Sequence, residues 1–165
     1  MRKMNTIVTK ENAKELRLQA MEEVKANPSD TKEGKIMDML ITAWGEWQPD
    51  YEGWVKWSDG LYTADSTINA IGGAQRFRDY QASMKEQRDA CAMEMGPIMQ
   101  IIVEGNVAAL VYHMYLTPKA AIAPTFDMLV TEYNTVEERD GKLMVTHLDL
   151  YTDCLLYTSD AADDR

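Results

Sequence analysis

Two hydrophobic periodicities divide this chain. Up to about Gly60 apolar residues return at three- and four-residue intervals, and after Gly96 they alternate or run in β-branched blocks. Thr9 to Asn27 predicts a helix with Thr9 as N-cap and Pro28 just past its end. Its apolar residues, Leu16, Leu18, Ala20, Met21 and Val24, make a poor stripe, so residues 1–30 read as an N-terminal helical extension docked on the body. A second helix runs from Thr31 to Trp47 and ends at Pro49. Ile36, Met37, Met39, Leu40, Ile41, Ala43 and Trp44 give it the broad apolar face of a helix buried on one side. The pairs Trp44/Trp47 and Trp54/Trp57 are each spaced to share one side of a helix turn, and Gly60 closes this helical region. Leu61 to Ala70 reads as a short strand, Gly72-Gly73 as a turn, and Ala74 to about Ala92 as a further helix with Phe77, Tyr80 and Met84 on one face.

Beyond Gly96-Pro97 the pattern is that of strands. Two apolar runs joined at Glu104-Gly105-Asn106-Val107 form one hairpin. Phe126 to Asp153 forms a second, with Asp140-Gly141 as a type I′ turn. Helices and a short strand followed by long antiparallel strands imply an α+β domain with helices on one face of a curved sheet. In the last strand, Lys142 to Asp153, strict alternation puts His147 and Asp149 on one face with Leu143, Val145 and Tyr151. Met144, Thr146, Leu148 and Leu150 fall on the other. With a two-residue turn, His147 faces Asn134 and Asp149 faces Glu132, about 4.5–5.5 Å apart at Cβ.

That register assembles a candidate site. Glu132 and Asp149 would form a carboxylate pair beside His147, a set suited to general acid/base work near neutral pH. The competing reading is a solvent-exposed face with ordinary charges, the opposite face being the core or a dimer contact. His113 and His147 with Asp149 could in principle hold a metal, but no short ligand spacing supports it, and no metal is expected. Walker, dinucleotide and nucleophile-elbow motifs are missing from the sequence, so no cofactor is expected either. The tryptophans suit either an aromatic wall for a flat ligand or a packing seam. The twelve methionines suit either a compliant pocket or ordinary core filling.

Composition narrows the setting. At 165 residues and 45% hydrophobic the chain suits one domain with a real core. No apolar run approaches a membrane span and no secretory signal opens the chain, which makes a cytoplasmic protein the expectation. A net charge of −10, scattered rather than blocked, argues against nucleic acid or an anionic membrane as partner. Residues 154–165 stand apart: CLLYTSDAAD resembles a translated sequencing-library adapter, and this tail is left out of the fold argument. Without it Cys91 is the sole cysteine, so neither a disulfide nor a cysteine-rich zinc site is expected. Cys91 reads as a small core residue.

DGLYTADSTINA, GGAQRFRDY opening a helix, and DGKLMVTHLDLYTD in the last strand together resemble the SnoaL-like, polyketide-cyclase-like branch of the nuclear-transport-factor-two-like superfamily. The resemblance covers about Thr31 to Asp153. It implies a cone-shaped, curved antiparallel sheet with helices on its concave face, and a homodimer formed through the sheet. Asp65 matches the aspartate at the first strand's entry, and His147 and Asp149 match the polar pair of the last strand. Where the ketosteroid-isomerase branch carries its catalytic aspartate, this chain has Asn69-Ala70, which puts that mechanism in doubt.

The expectation is therefore a cofactor-independent lyase, isomerase or cyclase acting on a small apolar carbonyl compound, polyketide- or steroid-like. His147, Asp149 and Glu132 would move a proton, and Tyr62, Asn69, His113 and Asn134 would line the substrate. The alternative is a non-catalytic module of the same fold that binds a small ligand or another protein.

Overall fold

The computed structural model describes residues 1–70, 72–120 and 124–153. The adapter-like tail lies outside them. In chain order the elements are β1 (Arg2–Lys3), α1 (Ala13–Ala26), α2 (Lys32–Glu46), α3 (Tyr51–Leu61), β2 (Tyr62–Ala70), β3 (Gly73–Arg76), α4 (Phe77–Ser83) and α5 (Lys85–Ala90). There follow β4 (Cys91–Met95), β5 (Gln100–Glu104), β6 (Val107–Pro118), β7 (Phe126–Arg139) and β8 (Lys142–Thr152). One sheet runs β1-β5-β6-β7-β8-β2-β3, with β4 paired to β6 beyond β5.

Short polar side chains start α2 and α3. Thr31 Oγ1 accepts from the Gly34 amide at 3.1 Å and Asp50 Oδ1 from the Gly53 amide at 2.7 Å, satisfying first-turn donors of α2 and α3. The first predicted helix starts later than Thr9. Thr9 and Asn12 hydrogen-bond each other's amides, and Asn12 is the N-cap. Its buried stripe is Ala13, Arg17, Ala20, Met21 and Val24, while Leu18 stays exposed. Arg17 therefore completes an apolar face that Leu16 and Leu18 do not. Its guanidinium donates to the carbonyls of Met95, Trp44, Gly45 and Trp47 and to Glu94, tying α1 to the end of α2 and to β4.

The helix predicted over 74–92 is shorter at both ends. Gly72 and Gly73 take φ of 104° and 96°, conformations that favour glycine, and reverse the chain so that 73–76 pair with β2. The helix starts at Phe77, breaks at Met84 and gives way at Cys91 to β4, where the half-buried Cys91 pairs with Pro118. The sheet is mixed rather than all antiparallel, because β2 runs parallel to β8. Strands β4 and β5 follow one another along the same side of β6, bent where Gly96 and Met99 bond to His113 and Val111 across an insertion that buries Pro97 and Ile98.

The second hairpin turns as the sequence predicts. Asp140 and Gly141 take φ of 51° and 76°, both positive as a type I′ turn demands. Arg139 pairs with Lys142, and the expected register holds back to Val136 and Val145. There Thr146 is left unpaired as a bulge, and Thr135 meets His147. Beyond it Glu132 faces Leu150, Asn134 faces Leu148, and Tyr133 faces Asp149. The predicted Glu132–Asp149 and Asn134–His147 pairs do not form. Val145, Leu148 and Leu150 point inward instead, and His147, Asp149 and Tyr151 outward.

The helices cover the inner face. Helices α1 and α2 pack on each other and against β4 and β5, α3 and α4 against β2, and α5 against β4. The core between the layers is formed by Trp44, Leu40, Ile68, Ile101, Leu110, Val145 and Leu148, all nearly free of solvent.

Candidate active site

Inward-facing residues of the sheet leave a cavity of about 120 Å³ beneath the helices. Its walls are aromatic. Trp44 and Trp47 come from the end of α2, Trp54 and Trp57 from α3, Tyr62 from the start of β2, and Phe77 and Tyr80 from α4. All four tryptophans line it, so the cluster is a cavity wall as well as a packing seam. Tyr62 and Phe77 stack with centroids 3.9 Å apart, and Trp44 meets Tyr112 edge-on at 5.4 Å. Met84, Met93, Met95, Met114 and Met128 supply a compliant lining, five of the twelve methionines. The more open side lies by Met84, Gln87, Met93, Met128, Leu150 and Thr152, none of them fully buried.

One carboxyl group stands in this apolar box. Glu132 projects from the middle of β7, is 3% exposed, and accepts from the Tyr112 hydroxyl at 2.5 Å and from Asn134 Nδ2 at 3.2 Å. Tyr112 is its diagonal neighbour on β6, since Leu110 lies directly opposite Glu132. Burial drives the Glu132 carboxyl up to about 7, although the hydrogen bonds from Tyr112 and Asn134 pull the other way. At neutral pH it is poised between acid and base.

Around it stand phenols held neutral. Burial and the charge of Glu132 push the Tyr62 and Tyr112 hydroxyls well above the ordinary tyrosine range. Tyr80 rises to about 12, mainly by burial, with Arg88 opposing and Glu132 adding. Tyr112 donates to Glu132, whereas the Tyr62 and Tyr80 hydroxyls donate to no described residue and remain available to a ligand in the cavity. A carboxyl that titrates near 7 beside neutral phenol donors can remove a proton from carbon while a nearby oxygen is held by hydrogen bonds.

The predicted residues divide between two faces. Glu132 and Tyr62 line the cavity, and Asn134, fully buried, holds the back of Glu132. His147, Asp149, His113 and Asn69 lie on the outer face of the sheet, where the bulge at Thr146 and simple alternation carry them. There His147 Nδ1 meets Thr67 Oγ1 at 2.7 Å, and His147 Nε2 meets Asp149 Oδ1 at 3.1 Å. His113 Nδ1 meets Asp127. None of them lines the cavity, and they form no set with Glu132. Asp65 is likewise exposed. Sequence reading passed over Tyr112, Tyr80 and Arg88. The signal for the last two was present, because Phe77, Tyr80, Met84 and Arg88 repeat at helical spacing and the stripe ends in a charge.

No family model and no curated protein matches the chain. Solved structures do. A candidate SnoaL-like polyketide cyclase from Jannaschia sp. CCS1 aligns with a TM-score of 0.61 at 14% identity, over 84% of this chain and 99% of that one. Wild-type IdmH, a candidate polyketide cyclase from Streptomyces antibioticus, aligns with a TM-score of 0.57 at 14% identity, over 78% and 99%. A candidate polyketide cyclase from Acidithiobacillus ferrooxidans gives 0.52 at 15% identity, over 79% and 94%. The fold is nuclear-transport-factor-two-like. In this chain the open mixed sheet and the helices enclose an interior cavity, the one holding Glu132. At such identities the likeness extends to the fold and not to a shared reaction.

Proposed function

We propose that this protein is a cofactor-independent proton-transfer enzyme of the lyase, isomerase or cyclase type, acting on a small, mostly apolar carbonyl compound with Glu132 as acid and base. The observation that carries this reading is a single buried carboxyl, raised to about 7, among neutral phenols in a mostly apolar cavity. The Glu132 carboxylate takes a proton from the carbon next to the carbonyl. The electron pair of that C–H bond becomes the enolate C=C bond and the carbonyl π pair moves onto the oxygen, which Tyr62 or Tyr80 holds. The protonated Glu132 then returns the proton to carbon at the same or a conjugated position. Positioned acid/base groups of this kind contribute about 10²–10⁴-fold, and donors to the forming oxyanion add to it. The cavity suits a compound near one ring in size, since a comparable apolar cavity of about 150 Å³ holds benzene. A four-ring steroid would have to extend through the mouth.

The test is deuterium exchange from heavy water into simple ketones and enones, followed by NMR. Exchange next to the carbonyl is expected with the unaltered protein and with a His147→Ala/Asp149→Asn double variant, and loss of at least 100-fold with Glu132→Gln. Exchange that survives Glu132→Gln would remove Glu132 from the chemistry. No exchange with any ketone would favour the non-catalytic ligand-binding module of the same fold.

A further inference from the structure

The cavity contains a charge that proton transfer does not use. Arg88, on α5, lines the same cavity as Glu132 and is only 7% exposed. Buried cations normally have an acidic partner or a full set of acceptors, because a guanidinium taken from water without them is costly. Among the described residues the other deeply buried arginine, Arg17, obeys this rule, with four carbonyls and Glu94 around its guanidinium. Arg88 departs from it. Nη1 donates to the Pro49 carbonyl at 3.2 Å, while Nε is buried with no acceptor and Nη2 donates to no described residue. No carboxylate among the described residues forms an ion pair with it. Asp50 is close enough to act on Arg88 through charge, but its carboxylate is engaged by the first turn of α3. The plane of the guanidinium is fixed by Trp54, whose ring centre lies 3.9 Å away.

What lacks an acceptor is the Nε–Nη2 edge, two parallel N–H donors in the fork that matches a carboxylate, with Nε itself shut off from solvent. We propose that this edge receives the carboxylate of the substrate, so that the cavity takes an apolar ring or chain bearing one carboxylate rather than a neutral ketone. The proposal rests on the proton-transfer reading above and narrows its substrate class to a small oxo acid. Seating the carboxylate on Arg88 would tie down one end of a substrate whose carbon skeleton lies among the aromatic walls shared with Glu132. Pairing with the guanidinium fork would fix the orientation that deprotonation of a chosen carbon requires.

The four cavity tryptophans make binding readable by intrinsic fluorescence, with phenylacetate and the neutral isostere phenylacetamide as probes. Phenylacetate is expected to bind the unaltered protein at least 10-fold more tightly. In Arg88→Gln that preference should disappear, while phenylacetamide binds as before. Equal affinities in the unaltered protein, or a preference that survives Arg88→Gln, would overturn the proposal. Should Arg88→Gln not fold, the unaltered protein still decides by NMR of arginine side chains. One Nε–H resonance is expected to shift with phenylacetate and not with phenylacetamide, and no shift with either would overturn the proposal. Glu132→Gln keeps the two readings apart. Carboxylate preference without proton exchange would overturn the enzyme reading alone, and exchange into neutral ketones without carboxylate preference would overturn the Arg88 assignment alone.

Discussion

At the scale of single residues, the consequences of burying Glu132 can be measured apart from any substrate. Its carboxyl is raised from 4.5 to about 7, chiefly by desolvation. Between those values the native state keeps a proton that the unfolded chain has lost. Stability therefore falls as pH rises from about 4.5 to about 7 and is flat above, with a cost of about 3 kcal/mol at alkaline pH. Glu132→Gln keeps the volume and an acceptor for Tyr112 but cannot ionise. Its melting temperature is expected to exceed that of the unaltered protein at pH 8 and to match it at pH 4.5. An equal difference at both pH values would mean that Glu132 does not titrate in this window. The catalytic counterpart has the opposite slope: kcat/KM should rise with pH through a midpoint near 7 as the base form appears. Stability and activity thus draw on opposite protonation states of one side chain, which is what a buried general base entails.

At the scale of elements, the last hairpin shows what was legible and where legibility stopped. Asp140-Gly141 was readable because two successive positive φ values nearly demand that dipeptide, and the register it sets held as far as Val145. Thr146 carries no mark of a bulge. A polar residue between Val145 and His147 fits ordinary alternation equally well, yet the extra residue moves every later side chain to the other face. His147 and Asp149 thereby changed place with Leu148 and Leu150, while Glu132, on the unbulged strand, kept its inward position. Three residues of β3 were misread for a related reason, because pairing with β2 overrides the helical spacing that begins properly at Phe77. The bulge makes an asymmetric prediction. Deleting Thr146 makes the ladder regular without turning Leu148 or Leu150 outward, so the variant should fold and melt within about 5 °C of the unaltered protein, in line with a cost near 1 kcal/mol. Deleting Asp149 turns Leu150 out and Tyr151 in, and cooperative melting should be lost. Equal damage from the two deletions would contradict the register.

At the scale of the whole molecule, the residues displaced from the cavity mark the other side of the sheet. Ile102, Leu129, Tyr133 and Tyr151 stand on its outer face, between 40% and 56% exposed, with the two tyrosine rings edge to face at 6.1 Å. The polar groups beside them are paired locally, His113 with Asp127 and His147 with Asp149. In a chain with a net charge of −10, this apolar, internally paired face is where two copies could meet with least repulsion. We propose a two-fold homodimer through it, a geometry in which the same patch serves both partners. Tyr133→Glu would set two carboxylates against each other near the two-fold axis. Sedimentation is expected to show a dimer for the unaltered protein and a monomer for the variant, and a monomer in both cases would reject the interface. Because Tyr133 lies on the opposite face of β7 from Glu132 and does not line the cavity that holds Arg88, the monomer should retain carboxylate preference. Loss of that preference together with the dimer would mean that the outer face supports the cavity through the sheet, and that the bulged strand couples assembly to ligand binding.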